Sequence, residues 1–253
     1  MGGPTVIRKF NRFELKYIID APLRDALCDE LARNMRTDQY GDGDGEYRVT
    51  SLYYDSPDDA CFRSKVAGIK YRRKVRVRTY GAHVDDPAAL VHLEIKQRID
   101  RTVRKRRIRV PLEDADALAT GQGGVHLEDP ADRAVAAEVE LLAQTLQLRP
   151  ACVISYQRRA WVGSEYEAGL RVTFDQLLRA RGPERGLGPG LADHFFMPPT
   201  QLIMEVKVNN AVPLWVTRML GRHQCQLRRV SKYCAGLSLL RSMERGGERF
   251  GDT

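Results

Sequence analysis

The stretch Tyr71–Tyr80, YRRKVRVRTY, constrains the fold of this chain more than any other. Read as a strand, its side chains alternate between two faces. Arg72, Lys74, Arg76 and Arg78 then line one face, and Val75, Val77 and Thr79 the other. Like charges at every second position repel, so such a row is stable only where water or a bound polyanion compensates it. Taken alone, the strand reads equally as a sheet edge with a solvated basic face, which protects against aggregation.

Repetition changes the weighing. RFELKYII sets Phe13, Leu15, Tyr17 and Ile19 against Arg12, Glu14 and Lys16. VHLEIKQR sets Val91, Leu93 and Ile95 against His92, Glu94 and Lys96, and LIMEVKVN sets Leu202, Met204, Val206 and Val208 against Glu205 and Lys207. A sheet with one solvated face carries mixed Thr, Ser and Gln outside rather than a recurring Glu-x-Lys. A sheet closed on itself explains more, because its inside can be charged while its outside packs under helices.

Around these strands the chain order predicts the connections. Asp20 caps a helix with Pro22 in its first turn and Leu23, Leu27, Leu31 and Met35 on one stripe. GDGDG at 41–45 lacks the ligand spacing of an EF-hand and reads as a flexible turn. YRVTSLYYDS is a second strand, residues 57–70 connect to the basic strand, and another basic strand spans Thr102 to Val110. Pro111 to Ala119 and Asp129 to Leu148 read as helices, CVISYQRRAW and LRVTFD as strands. The Gly-, Pro- and Arg-rich segment Arg181 to Pro199 reads as a mobile loop. Pro213 starts a helix to about Leu220, Ser231 opens a last one, and the C-terminal end reads as disordered. Trp161 and Trp215 are assigned to packing. Strands and helices in this order, without βαβ alternation, make an α+β fold dominated by antiparallel pairing.

The 253 residues, 43% hydrophobic, suffice for one large core, and the formal net charge of +8 points to anionic partners: phosphate compounds, nucleic acid or an acidic membrane surface. Five cysteines without Cys-x-x-Cys spacing read as reduced residues of a cytoplasmic chain. There is no apolar run long enough to span a membrane, and no glycine-rich nucleotide loop of the Rossmann or P-loop type. The basic residues alternate with core residues and are matched by Glu, which speaks against a specific nucleic-acid surface, where exposed aromatics interleave with Lys and Arg.

The ordered set RFELKY, SLYYD, KVRVRTY, HLEIKQR, SYQRRAW, RVTFD, MEVKV and a late SKY resembles the polyphosphate polymerase domain of the vacuolar transporter chaperone family, a branch of the triphosphate tunnel metalloenzymes. The match runs roughly from Arg8 to Leu240 and treats the chain as one domain, with a core of about 8–242. It implies an antiparallel eight-stranded β-barrel tunnel with helices packed outside. The implied activity is transfer of the terminal phosphate of a nucleoside triphosphate, ATP in the first instance, to a growing polyphosphate chain. Carried over residue by residue, Lys16, Lys74, Arg76, Arg78, Lys96, Lys105, Arg158, Arg171 and Lys207 would bind phosphate, with Tyr156, Ser231 and Lys232. Arg76, Arg78, Lys96, Arg158, Arg171 and Glu205 would carry catalysis. Glu205 would hold Mn²⁺ or Mg²⁺ with help from Glu14 and Glu94, oxygen donors being what these ions need.

The first strand reads Arg-x-Glu-x-Lys where the superfamily often has Glu-x-Glu-x-Lys, one carboxylate fewer, which suits the polymerase branch better than the hydrolytic one. Two further readings remain: a tunnel hydrolase acting on inorganic triphosphate or an RNA 5′ end, and a non-catalytic polyphosphate or nucleic-acid binder. A chain of this kind without membrane helices would depend on a membrane-protein partner for any export.

Overall fold

The computed structural model describes residues 12–41, 45–100, 102–167, 169–189, 193–209 and 211–248. The centre of GDGDG and the C-terminal end expected to be disordered lie outside them. β1 (Arg12–Asp20) leads into α1 (Ala21–Leu31), whose first turn is capped by Asp20 accepting from Leu23 N–H at 3.0 Å. β2 (Met35–Thr37), β3 (Glu46–Asp55) and α2 (Ala60–Val66) precede the basic strand β4 (Tyr71–Tyr80). β5 (Leu90–Ile99) and β6 (Thr102–Pro111) form a hairpin, followed by α3 (Leu112–Thr120) and α4 (Pro130–Leu146). Then come β7 (Arg149–Gly163), β8 (Arg171–Arg181), β9 (His194–Phe195), β10 (Gln201–Asn209), α5 (Leu214–Arg222) and α6 (Lys232–Glu248).

All strand pairs are antiparallel, in the order β1-β10-β8-β7-β3-β4-β5-β6, with β2 added to β7 and β9 to β8. The sheet curls far enough for Lys96 on β5 to meet Glu14 on β1 at 3.3 Å, although five strands lie between them in the pairing order. It does not close by hydrogen bonds: among the described residues β1 and β6 remain edges, so the expected closed barrel is an open, curled one. The segment before α6 lies along β1 instead, with a bridge from Tyr17 to Leu227 and Arg228 N–H donating to Lys16 O at 2.8 Å.

The two-residue alternation sorts the strands into two faces. Outward residues of β3 to β7 pack under α3 and α4, with Leu52, Val77, Leu93 and Ile108 against Leu118 and Val139. Outward residues of β1, β8 and β10 pack under α1 and α5, with Tyr17, Phe174 and Met204 against Leu27 and Met219. Helix α6 departs from the expectation that helices pack outside. It lies on the concave face, where Tyr233 and Leu237 bury against Val49, Tyr53, Ile154, Leu178 and Ile203. The inner face is therefore apolar under α6 and charged beyond its N-terminus. Gly236 makes this close approach possible, since a Cβ there would stand 2.3 Å from Ile154 Cδ1 and 3.0 Å from Ala180 Cβ.

α6 is also tied at its flank. Buried Asp55 accepts from Cys61 N–H at 2.8 Å and Phe62 N–H at 2.9 Å, anchoring the first turn of α2, and takes the Tyr233 hydroxyl on its second oxygen. Arg241 pairs with Asp59. The 57–70 connection thus holds a helix the sequence reading missed, because seven residues carry too little periodicity to register.

Two further expectations are corrected, and one is extended. Met35 does not continue the α1 stripe but starts β2. The described parts of 181–199 are held rather than loose: Arg181 donates to Gly186 O at 2.9 Å and Gly188 O at 2.6 Å, Leu187 is buried and β9 pairs with β8. Trp161 packs in the core as expected, whereas Trp215 also donates its indole N–H to Glu167 at 2.5 Å. No helix among the described residues is long and apolar enough to cross a membrane.

Replacing Gly236 by Val should force α6 off the concave face and destabilise the chain by about 1–3 kcal/mol. Urea unfolding of Gly236→Val beside the parent chain checks this; an unchanged midpoint contradicts it.

Candidate phosphate-binding site

The concave face forms a cavity of about 2520 Å³, lined among the described residues by nineteen Lys and Arg but only three carboxylates, Glu14, Glu94 and Glu205. Every residue that the sequence reading placed at the site lines it: Lys16, Lys74, Arg76, Arg78, Lys96, Lys105, Tyr156, Arg158, Arg171, Lys207, Ser231 and Lys232, with the three glutamates.

Register explains how these charges coexist. In an antiparallel pair two Glu-x-Lys strands place each Glu across from a Lys, and β1 and β10 do so, with Glu14 opposite Lys207 and Lys16 opposite Glu205. Glu205 is buried among three ammonium groups, at 2.7 Å from Lys232, 3.0 Å from Lys207 and 3.3 Å from Lys16. Burial would raise its pKa, but these cations and Arg158 together hold it well below the usual carboxylate range. Glu14 meets Lys16 at 3.1 Å, and burial is again outweighed, here by Lys96 and Lys16, so that its pKa falls to about 2.

Asp175, which the sequence reading did not place at the site, belongs to this group: it takes Arg158 in a two-point contact at 2.6 and 2.7 Å and Lys232 at 2.6 Å. Arg171 instead pairs with Asp38, and donates to Tyr47 at 2.9 Å. Neither partner was legible, because Asp38 sits in a short turn far from β8 in sequence.

A second group forms on β3 to β6. Buried Glu94 holds Arg76 at 2.6 Å and Lys105 at 2.5 Å, and Arg76 also donates to Tyr53 at 2.9 Å. Arg78 pairs with no carboxylate among the described residues; it donates to Ser51 at 2.8 Å and Tyr156 at 3.3 Å. Within the run at 104–107, Lys105 reaches Glu94 inside the cavity, while Arg106, on its wall, extends its guanidinium to Glu138 on α4.

Between the groups, register puts three lysines side by side on adjacent strands, Lys74 across from Lys96 and Lys96 across from Lys105. Lys96 is drawn to Glu14 and Lys105 to Glu94. Among the described residues Lys74 has no acidic partner; it lies 3.4 Å from Ser231 Oγ and 4.4 Å from the centre of the Tyr233 ring. Burial, only partly offset by nearby Cys234 and Tyr53, lowers its pKa. Ser231 Oγ accepts from Cys234 N–H at 3.4 Å, so the free amides of the α6 N-terminus also open onto this position.

Among the described residues no three His, Cys, Asp or Glu side chains converge to hold a metal ion. Glu205 and Glu14 share Lys16, while Glu94 belongs to the other ion-pair group and shares no partner with Glu205. One or two carboxylates in a phosphate site suit Mg²⁺ or Mn²⁺ carried in on phosphate oxygens, not a cage built by protein alone. The cysteines are free, as expected, and the three near α6 and α2 include Cys61 and Cys152, whose thiols burial pushes up to about 12.

A family profile described as the VTC domain matches residues 11–241. The chain belongs to the VTC domain family. No curated protein matches it in sequence. Among solved structures, it is similar to a Hippeastrum candidate adenylyl cyclase with a dominant triphosphatase activity, at 14% identity and a TM-score of 0.52, over 89% of this chain and 94% of that one. A candidate adenylate cyclase from Bacillus halodurans gives 13% identity and a TM-score of 0.49, over 86% and 92%. The first likeness supports the same tunnel fold for this VTC domain.

Burial first, and then the Arg76 and Arg78 charges, hold Lys105 down to about 8 against the pull of Glu94; burial and Arg158 do the same for Lys207 against Glu205. A bound polyanion would restore their protons, so binding takes up protons and affinity falls as pH rises through about 8. Titration calorimetry with tripolyphosphate between pH 7 and 9.5 should show this fall, and Lys105→Arg/Lys207→Arg should flatten it, since arginine stays charged. The ligand's own ionisation is common to both proteins and cancels in the comparison; identical pH profiles contradict the assignment.

Proposed function

We propose that this VTC domain is a polyphosphate polymerase, transferring the terminal phosphate of a nucleoside triphosphate, ATP first, to a polyphosphate chain held in the cavity. The observation that carries the reading is the excess of cations over carboxylates, concentrated at the Lys74, Lys96 and Lys105 row that register forces together. Glu14 and Glu94 answer Lys96 and Lys105 but no carboxylate among the described residues answers Lys74, so the row keeps an excess of positive charge that a linear chain of phosphates would compensate, one charge after another.

In the reaction, a terminal oxygen of the acceptor chain attacks the γ-phosphorus, the bond to the bridging β–γ oxygen breaks, and the nucleoside diphosphate leaves. Catalysis is then positioning and neutralisation. Arg76, Arg78, Arg158 and Arg171 present planar donors to paired phosphate oxygens. Lys16, Lys74, Lys96, Lys105, Lys207 and Lys232 supply point charges along the cavity, and Tyr156 and Ser231 offer hydroxyl donors. Glu205, with Glu14, is the group that would hold a divalent ion. A bound Mg²⁺ or Mn²⁺ would draw charge from the phosphate oxygens and polarise the phosphorus. Such an enzyme would work in the cytoplasm, where nucleoside triphosphates are, and pass its product to a membrane-protein partner if the polymer is exported.

Incubation of the purified chain with ATP and Mn²⁺, with polymer followed by gel and free phosphate in parallel, tests this. Polymer and ADP should accumulate, and the rate should fall at least about 100-fold in Arg76→Ala/Arg78→Ala and in Glu205→Gln. Free phosphate without polymer would make the chain a triphosphatase of the same fold; tight polyphosphate binding without turnover would make it a binding module.

A further inference from the structure

Apolar side chains gather at one end of the molecule. Val66 at the end of α2, Ile69 and Tyr71 at the start of β4, and Ile99 and Val103 at the β5–β6 turn are 66, 51, 47, 43 and 37% exposed. The segments carrying them are joined: Asp100 N–H donates to Lys70 O at 3.0 Å, Ile69 N–H to Ser64 O at 3.0 Å, and Tyr71 pairs with Ile99. Other exposed apolar residues, such as Tyr40, Leu141, Tyr166 and Leu214, lie apart in the sequence and on different elements, which is ordinary for a protein surface.

Charge says what this tip fits. The described residues of 64–73 and 95–104 include seven Lys and Arg, of which Lys96 pairs with Glu14, against Asp100 as their sole carboxylate. Arg72 lies directly across from Arg98, and among the described residues neither they nor Lys70, Arg73 or Arg104 pair with a carboxylate. A protein–protein contact concentrates its apolar residues and excludes lysine from its centre. Here aliphatic side chains and a tyrosine alternate with long cationic ones at a hairpin tip, the combination that enters the headgroup layer of a bilayer while ammonium and guanidinium groups meet anionic lipids.

We propose that this tip docks onto the surface of an anionic lipid bilayer, turning toward the lipid the mouth of the cavity bounded by Arg72 and Arg98. Val66, Val103, Arg72, Arg98 and Arg104 also belong to the cavity wall, whereas Ile69, Lys70 and Ile99 lie outside it, so substitutions at Ile69 and Ile99 separate docking from whatever reaction the cavity performs.

Sedimentation of the full chain with vesicles tests the proposal, using phosphatidylcholine alone or an equal mixture with phosphatidylglycerol. The chain should bind the mixed vesicles and not the neutral ones. Ile69→Asp/Ile99→Asp should lower the bound fraction about tenfold, with a thermal melt like that of the parent chain, since both positions are exposed. Arg76→Ala/Arg78→Ala, which weakens the cavity, should leave vesicle binding in place. The proposal is overturned if mixed vesicles are not bound, if the tip substitutions change nothing, or if the cavity variant alone abolishes binding. It is equally overturned if the tip substitutions abolish retention of single-stranded RNA while vesicles are never bound, which would make the tip a nucleic-acid surface.

Discussion

The burial of Glu205 among Lys16, Lys207 and Lys232 is the interaction on which the rest of the inner face depends. A carboxylate so placed is costly to desolvate and is held only because opposed charges crowd it from two strands and a helix. That helix is α6, and Lys232 is its first residue, so the charge network and the docking of α6 on the concave face are one construction. Asp175 completes it by joining Lys232 to Arg158. The curl of the sheet brings β1 and β5 within ion-pair distance without backbone hydrogen bonds between the edges, and Lys96 with Glu14 spans the opening.

This balance is deliberately incomplete on the other wall. Where β1 faces β10, Glu-x-Lys meets Glu-x-Lys and the charges cancel; where β4 faces β5, Arg76 meets Glu94 but Lys74 meets Lys96 and Arg78 meets His92, so cancellation is partial. Uncompensated charge therefore lies along one side of the cavity, beside the α6 N-terminus with its free amides, and a string of phosphates placed there would meet donors along its whole length.

Much of this was legible in the sequence because it follows from a two-residue period. Alternation on YRRKVRVRTY assigned Lys74, Arg76 and Arg78 to the inner face and Val75 and Val77 to the core, and the structure keeps that assignment. What stayed hidden depends on contacts between distant segments. Ser231-Lys232-Tyr233 with Leu237 and Leu240 has the pattern of any amphipathic helix, and nothing in it says that the apolar stripe faces a concave sheet; Gly236, which allows that approach, looks like a poor helix residue until Ile154 lies beside it. Asp175 and Asp38 likewise look alike as isolated acids, and only the fold gives the first to Arg158 and the second to Arg171. The open seam between β1 and β6 had no local signature, since closure is a property of the whole sheet.

The central claim is that the cavity is shaped for a linear chain of phosphates and not for a single anion. Calorimetric titration with pyrophosphate, tripolyphosphate and longer linear polyphosphates at fixed pH and salt tests it most directly. Affinity should climb with chain length as successive phosphates reach the Lys74, Lys96 and Lys105 row, and Lys74→Gln should weaken the long chains far more than pyrophosphate. Equal affinities at every length, or a Lys74→Gln variant that binds all of them as the parent does, would contradict the account.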